Sequence, residues 1–178
     1  IPDSITEIAG RTFSCCSSLN FITIPDSVTI IAENAFYSCA KLSSITIPDS
    51  VTYIGDRAFS GCSRLSSITL SDKVENVGKL AFYNCSSLKK ITIPDTVSNI
   101  GEGSFYNCES LTTITIPYGV KCIENSTFRN CKALNTVTIP NSVVRLGDFA
   151  FENCSALTSI IIPYSVTNIG KETFSSCE

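Results

Sequence analysis

The sequence predicts a solenoid, in which one short structural unit is stacked repeatedly along a single axis. Every proline of the chain lies on a grid with a step of 23 residues, and Ser71 occupies the only vacancy in that grid. Eight of the ten phenylalanines and eight of the ten cysteines keep the same step. A fixed period in the twenties is typical of solenoids, whose repeats bury their apolar side chains against one another. The repeating residues are Pro2, Pro25, Pro48, Pro94, Pro117, Pro140 and Pro163; Phe13, Phe36, Phe59, Phe82, Phe105, Phe128, Phe151 and Phe174; and Cys16, Cys39, Cys62, Cys85, Cys108, Cys131, Cys154 and Cys177.

The grid makes residues 1–178 a single repeat array rather than several domains. Seven full units occupy residues 1–161, and a partial eighth unit occupies residues 162–178. Solenoids usually cover their end coils with atypical polar repeats. Both ends of this chain instead follow the repeat pattern, so we expect it to be a fragment of a longer protein.

Each unit contains one good candidate for a β-strand. In residues 42–48 the sequence L-S-S-I-T-I-P alternates apolar and polar residues and is rich in β-branched side chains, as in a half-buried strand. Proline ends the strand because it has no N–H to donate. The pattern therefore predicts seven or eight parallel strands, one per unit, centred on triplets such as Ile91-Thr92-Ile93.

The rest of the unit predicts a bend followed by a compact segment. Val51 and Ile54 are expected to point inward, and Gly55 permits a tight change of direction. Residues 56–62 are expected to form a short helical or 3-10 turn, whose Ala58, Phe59 and Cys62 side chains fill the interior.

The combined pattern L-x-x-I-x-I-P and V-x-x-I-G-x-x-A-F-x-x-C resembles the BspA-like class of leucine-rich repeat proteins found on bacterial and protist surfaces. The resemblance covers every unit. It implies a leucine-rich-repeat solenoid: a curved right-handed coil with a parallel β-sheet on its concave face and short strands, turns or helical turns on its convex side. It also implies a cell-surface or secreted location and adhesion to host proteins, including extracellular-matrix and plasma proteins such as fibronectin and fibrinogen.

Composition argues against several classes of function. The net charge is −3 and the pI is about 5.0. Basic residues are scattered, so neither nucleic acid nor an anionic membrane surface is an expected partner. No run of 18 apolar residues indicates membrane insertion by this segment. Histidine is absent, which removes histidine-dependent nucleophilic catalysis. We expect a non-enzymatic protein without a cofactor.

The cysteine column has several possible meanings, and buried thiols are the favoured one. Equivalent cysteines in adjacent coils should lie about 4.8 Å apart, one strand spacing, which is too far for an undistorted disulfide. No converging C-x-x-C pair indicates a zinc site. Cys15 and Cys122 lie outside the column, and whether either is reactive stays open.

Aspartates form a second column, which has a structural interpretation. We expect Asp3, Asp26, Asp49, Asp72 and Asp95 to be solvated turn residues, because none has an apolar setting that would make it a catalytic acid. A row of Ca²⁺ sites is conceivable there, but the glycine-rich, multi-carboxylate spacing of such sites is missing.

The candidate binding surface is the outward face of the predicted sheet. A threonine stripe runs along it and includes Thr115 and Thr138, and Tyr118 and Tyr164 replace aspartates toward the C-terminal half. Tyrosine is enriched at protein interfaces, which makes this half the predicted contact surface. A second candidate is a modest basic patch of Lys73, Lys89 and Lys90.

These observations favour a protein-binding module of an adhesin, which would bind host or partner proteins through the concave sheet. The alternative is a structural spacer that displays another domain and has no specific ligand on this segment. A binding module should cluster its non-repetitive residues on one face, whereas a spacer should scatter them. Here they cluster mildly, at Phe21, Lys90, Tyr118 and Tyr164.

Overall fold

The computed structural model describes residues 1–177, which consist of short strands joined by turns. All strand pairs are parallel and are displaced by one 23-residue unit. No helix is present in residues 1–177. The chain is therefore a parallel β-solenoid, as the period predicts.

One set of strands, here called the front sheet, contains the predicted strand of the central units. Each front strand has three residues, with the middle side chain buried and the two flanking side chains exposed in four of the five strands. With strands numbered in chain order, the front sheet comprises β3 (Ser44–Thr46), β5 (Ser67–Thr69), β7 (Lys90–Thr92), β9 (Thr113–Thr115) and β11 (Thr136–Thr138).

The prediction of seven or eight front strands was too high. The end triplets, Ile22–Ile24 and Ile160–Ile162, are not strands. Each has a neighbouring coil on one side only, which halves the ladder bonds that would hold it extended. The strands also begin one residue earlier than predicted, so that Ile45 rather than Thr46 is the central residue of β3.

A second set of strands, here called the back sheet, corresponds to the short strands that the resemblance implies for the convex side, although the residue pattern did not locate them. Its strands have two residues each, at the seventh and eighth positions of the unit, which is too short to produce a recognisable alternation. They form a five-stranded and a three-stranded group. The first group comprises β1 (Glu7–Ile8), β2 (Ile30–Ile31), β4 (Tyr53–Ile54), β6 (Asn76–Val77) and β8 (Asn99–Ile100); the second comprises β10 (Cys122–Ile123), β12 (Arg145–Leu146) and β13 (Asn168–Ile169).

The core consists of columns of identical side chains that stack from coil to coil. Phenylalanines at the thirteenth position stack with ring centroids 5.2 to 5.6 Å apart and nearly parallel planes. Val51, Ile54, Phe59 and Leu65 are completely buried, as are their equivalents in the central coils. Stacking thus buries apolar area that one coil alone would expose to water.

The segment predicted as a helical or 3-10 turn is a series of hydrogen-bonded turns instead. The N–H groups of Arg57, Phe59 and Gly61 donate to carbonyls of the following coil at 2.8 Å. The intervening N–H groups close turns within the coil, as from Ser60 to the Arg57 carbonyl at 3.1 Å. A helix would direct all of these donors along its own axis and leave the next coil without partners.

Left-handed backbone conformations make this alternation possible. In every unit the eleventh and fifteenth residues have φ between 51° and 77°, whether or not they are glycine. In the unit of Phe59 these residues are Arg57 and Gly61, and four units use asparagine at the fifteenth position. Asparagine and glycine tolerate this region better than other residues do. We refer to this part of each coil as the turn side.

Candidate functional site

The outward face of the front sheet is a regular polar surface. In β3 the side chain of Ile45 is buried, whereas Ser44 and Thr46 are exposed. The stripe threonines pair in register, as Thr115 does with Thr138 across β9 and β11. Both of these predicted site residues are exposed. Small hydroxyl side chains leave this face open to a partner along its length.

The two predicted tyrosines lie in turns that follow the front sheet. Tyr118 begins the turn after β9 and is 66% exposed, with the Lys121 Nζ 5.7 Å from its ring centroid. Tyr164 occupies the equivalent turn two units later and is fully exposed. In the first five units an aspartate occupies this position. Tyrosine is enriched at protein interfaces relative to the rest of the surface.

Two further exposed apolar residues lie on the same face, at opposite ends of the molecule. Ile161, which interrupts the threonine stripe, is 86% exposed and lies close in sequence to Tyr164. Phe21 is 77% exposed in the first unit. Exposed apolar side chains thus occur at both ends of the face, with the two tyrosines and Ile161 in its C-terminal half.

The predicted basic residues Lys73, Lys89 and Lys90 are all exposed. Within residues 1–177, none of these three ammonium groups is in a salt bridge. Lys90 lies in β7, beside Ser67 of one neighbouring strand and Thr113 of the other. The three lysines are therefore available to an acidic partner.

A shallow depression of about 490 Å³ lies on the front sheet between β7 and β9. It brings together Lys90 and Thr115 of the predicted site. The other five predicted site residues do not line this depression: Tyr118, Tyr164, Thr138, Lys73 and Lys89. Asp72 and Asp95 also line the depression. The sequence analysis had treated these two residues only as members of a turn column. The signal that could have placed them here is their position directly after a front strand.

The column cysteines of the central coils behave as core side chains. The thiols of the central coils are completely buried, and each donates a hydrogen bond to the carbonyl of the phenylalanine in the preceding coil, as Cys108 does to Phe82 at 3.2 Å. Burial raises the pKa of Cys85 and Cys154 to about 12 and raises the pKa of Cys108 and Cys131 well above the usual range. Only the thiolate is an effective nucleophile or metal ligand, so these residues act as core side chains.

The two cysteines outside the column differ from it in exposure. Cys15 is exposed and has a left-handed φ of 61°. Cys122 is half-buried in β10, in register with Arg145, whose guanidinium pKa is raised by a hydrogen bond with Cys122 and by Glu124. All ten cysteines are free thiols in the structure.

Two other classes of site have no geometric support in the described part of the chain. No group of three or more Cys, Asp or Glu side chains in residues 1–177 is arranged to hold a metal ion. No helix that is long and apolar enough to span a membrane is present in the same residues.

Comparison with known proteins gives a consistent result. A sequence profile of the BspA type leucine-rich repeat region matches residues 1–111 and 98–178, with six copies of the repeat. No curated protein shows significant similarity to the chain.

Three solved structures of bacterial leucine-rich repeat proteins are similar to this one. A leucine-rich repeat protein of T. pallidum has 30% identity and a TM-score of 0.83, and the match covers 87% of this chain and 72% of that one. A leucine-rich cell surface protein of Faecalibacterium prausnitzii has 41% identity and a TM-score of 0.78, with coverage of 84% and 41%. A leucine-rich repeat protein of Eubacterium ventriosum has 28% identity and a TM-score of 0.65, with coverage of 99% and 42%.

The profile match extends over the whole sequence, and the T. pallidum protein shares both the fold and 30% of the aligned residues. Two of the three similar structures are more than twice as long as the region they share with this chain. The repeated strand, the phenylalanine and cysteine columns and these matches agree. This chain belongs to the BspA-type leucine-rich repeat family.

Proposed function

We propose that this chain is a non-enzymatic binding module of a cell-surface or secreted adhesin and that it binds a partner protein through the C-terminal half of its front sheet. The observation that carries the proposal is the exposure of Tyr118 and Tyr164 at a position where the first five units have a solvated aspartate. Replacing a carboxylate with an amphipathic ring adds contact area and removes a charge that would repel an acidic partner.

Thr115 precedes Tyr118 by three residues, and Thr138 pairs with Thr115 in the neighbouring strand. Both threonines supply hydroxyl groups on an exposed, pre-formed strand surface. Rigid backbone and short side chains lose little conformational entropy when a partner binds. Lys73, Lys89 and Lys90 form the second part of the proposed surface, where they would orient an acidic region of the partner.

Family membership supports this class of function, because leucine-rich repeat solenoids expose an extended surface suited to protein ligands. The F. prausnitzii relative is described as a cell surface protein, which supports the proposed location of this chain. Extracellular-matrix and plasma proteins are the proposed partners.

The test is a binding experiment with the 178-residue chain immobilised and a panel of purified extracellular-matrix and plasma proteins in solution. We expect at least one protein to bind the wild type and to lose about 30-fold in affinity when Tyr118→Ala and Tyr164→Ala are combined, since interface hot spots commonly contribute 2 kcal/mol or more. The matched control is Tyr37→Ala with Tyr53→Ala, which removes two exposed tyrosines from the turn side and the back sheet. The control should retain affinity.

Two outcomes would contradict the proposal. If the folded double variant binds as well as the wild type, the tyrosines are not the contact surface. If no protein of the panel binds the wild type, the chain is better described as a spacer that displays another part of the molecule.

A further inference from the structure

Both sheets of the solenoid change at the same junction between coils. The back sheet is divided between β8 and β10, the only interruption of that sheet in residues 1–177. In the front sheet, β7 and β9 retain one registered pair, Lys90 with Thr113, whereas the other neighbouring strands have three pairs each. Both changes lie at the boundary between the coil of residues 90–112 and the coil of residues 113–135.

Backbone hydrogen bonds that recur at the other junctions are missing here. In the next junction, the N–H of Val144 donates to Lys121 at 2.8 Å and the N–H of Gly147 donates to Ile123 at 2.8 Å. The equivalent donors one coil earlier are the N–H groups of Lys121 and Glu124. Within the described residues, neither makes a hydrogen bond to the preceding coil. Two backbone hydrogen bonds between these coils are therefore missing.

A side-chain bond is also lost at this junction. Most units have a serine or threonine at the fourth position, whose hydroxyl donates to a carbonyl of the preceding coil, as Ser142 does to Val120 at 2.9 Å. Gly119 occupies this position in the coil of residues 113–135 and has no hydroxyl to donate to Val97. Thr96 and Ser165 make the corresponding bonds at 2.7 Å. Lys73 also has no hydroxyl at this position, but there Ser71 Oγ donates to the Val51 carbonyl at 3.4 Å instead.

The side chain of Glu124 explains why these backbone hydrogen bonds are missing. Glu124 occupies the ninth position, which is glycine in all five other units from the third onward and alanine in the first two units. A Cβ atom added to Gly101 would lie 2.5 Å from the backbone nitrogen of Lys79, and one added to Gly147 would lie 2.6 Å from that of Asn125. Such contacts force the neighbouring backbone to shift, so a long side chain such as that of Glu124 does not stack here at the normal spacing.

Alanine occupies the ninth position in the first two units and shows whether a short side chain is accommodated there. Ala32 stacks over Ala9 and keeps its bond to Ile8 at 2.9 Å. This bond is as long as those that Gly78 and Gly101 make to their preceding coils, at 2.9 Å each, so the junction accommodates a methyl group, the shortest side chain. Glu124 lies in the middle of the stack, and its carboxylate is bound by Arg145 of the following coil at 2.6 Å. This ion pair directs Glu124 toward the following coil.

On the turn side of the same junction, the hydrogen bonds and the ring stacking between the two coils are present. Phe105 and Asn107 donate to Thr127 and Arg129 at 3.0 and 2.9 Å. The rings of Phe105 and Phe128 stack at 5.5 Å, and the Cys131 thiol donates to the Phe105 carbonyl at 3.2 Å. The contacts that hold these two coils together are therefore concentrated on one side.

We infer that this junction is a hinge. The coils of residues 90–112 and 113–135 pivot about their intact turn side and open at the back sheet and at the turn that contains Tyr118 and Gly119. Stability in a solenoid is the sum of repeat and nearest-neighbour terms, so the junction with the fewest bonds opens first. The front-sheet depression spans this junction, since Lys90 and Asp95 line one side and Thr113 and Thr115 line the other.

Amide hydrogen exchange on the 178-residue chain tests the hinge without a ligand. Protection factors of the Lys121 and Glu124 amides should be at least about 10-fold lower than those of Val144 and Gly147, because a lost backbone hydrogen bond lowers the local opening free energy. Equal protection at the two junctions would overturn the inference.

A variant that lacks the Glu124 side chain tests why the hydrogen bonds at this junction are missing. Glu124→Gly restores the repeat residue at the ninth position and should raise protection at residues 121 and 124 by about 10-fold, toward the value of the neighbouring junction. Gly119 is kept in this variant, because a Cβ there would lie 2.7 Å from the Val97 carbonyl oxygen. Glu124→Gln removes the charge but keeps the side chain, so it should leave the junction open. If Glu124→Gln closes the junction as well as Glu124→Gly does, the side-chain volume is not the cause. Ser142→Gly, which removes the same hydroxyl bond at the next junction, should leave protection at residues 121 and 124 unchanged.

Discussion

The thiol of Cys85 donates a hydrogen bond to the backbone carbonyl of Phe59 in the preceding coil, with a sulfur–oxygen distance of 3.2 Å. The same contact recurs from Cys39 to Cys177, always across 26 residues. A small apolar side chain with a weak donor thus both fills the core and occupies a carbonyl that faces it. Valine or alanine in this column would leave that lone pair without the thiol donor.

The buried thiols predict a loss of stability at alkaline pH. The pKa of Cys85 and Cys154 is raised by burial to about 12 in the folded chain, so folding favours the neutral thiol. This contribution is complete below the unfolded pKa of about 8.5 and is lost as the pH rises through the folded value. Between pH 9 and 10.5 the free energy of unfolding should fall by roughly 1.4 kcal/mol per pH unit for each of these two thiols. Urea denaturation in the presence of a reductant measures it.

The control for the alkaline effect is a variant with fewer titrating thiols. Cys85→Ala with Cys154→Ala should have a shallower dependence of unfolding free energy on pH, although its stability at pH 7 is lower. Cys15→Ala, which removes an exposed thiol, is the matched control for the substitution itself. A stability that is constant from pH 8 to 10.5 would show that the column thiols are not desolvated.

Replacement of Asn107 separates backbone strain from side-chain bonding on the turn side. Asn107 has a φ of 61°, and its Oδ1 accepts a hydrogen bond from Asn130 Nδ2 at 2.8 Å. Both variants lose the bond. Asn107→Ala also puts alanine, which tolerates the left-handed region less well than asparagine, at this φ, whereas Asn107→Gly removes the Cβ and its strain. We expect the alanine variant to be less stable than the glycine variant by about 1 kcal/mol. Equal stabilities in urea denaturation would argue against strain at this position.

The ninth position of the repeat should reject side chains in the closed part of the stack. A Cβ on Gly78 would lie 2.5 Å from the carbonyl carbon of Gly55, so Gly78→Ala should lower the free energy of unfolding by about 2 kcal/mol or more. The control is Gly10→Ala, whose Cβ would approach only the Glu33 carbonyl oxygen, at 3.2 Å. Thermal unfolding of the two variants measures the difference. Similar melting temperatures would contradict the steric account of the hinge.

The lysines of the front sheet should affect the rate of association more than the lifetime of the complex. Lys73→Ala, Lys89→Ala and Lys90→Ala together remove three exposed charges that lie outside any ion pair in residues 1–177. For a partner found in the binding screen, we expect slower association and a weaker dependence on salt, because exposed charges act mainly by steering. Surface plasmon resonance at two salt concentrations measures both. An effect confined to dissociation would place these lysines in the centre of the contact instead.

The repeat pattern was sufficient to predict the solenoid, because stacking multiplies each position into a column. Phe59 and Cys62 are predicted to be interior by their period alone, and both are completely buried. The pattern was insufficient at the turn side, where residues 56–62 suit a helical turn by local propensity. There the carbonyls of the following coil compete for the N–H groups of Arg57 and Phe59, and this inter-coil pairing decides the conformation.

The sequence by itself determined which residues are interior, where the central front strands lie and which family the chain belongs to, since these depend on composition at fixed intervals. Only the tertiary structure decided the back sheet, the left-handed turns and the open junction. Tyr118 and Glu124 are both departures from the repeat, and the sequence does not distinguish their effects. In the structure the side chain of Tyr118 extends into solvent, whereas a Cβ at the position of Glu124 meets backbone 2.5 to 2.7 Å away in the regular coils. The spacing between coils, which no single unit encodes, makes one a candidate contact and the other the cause of a hinge.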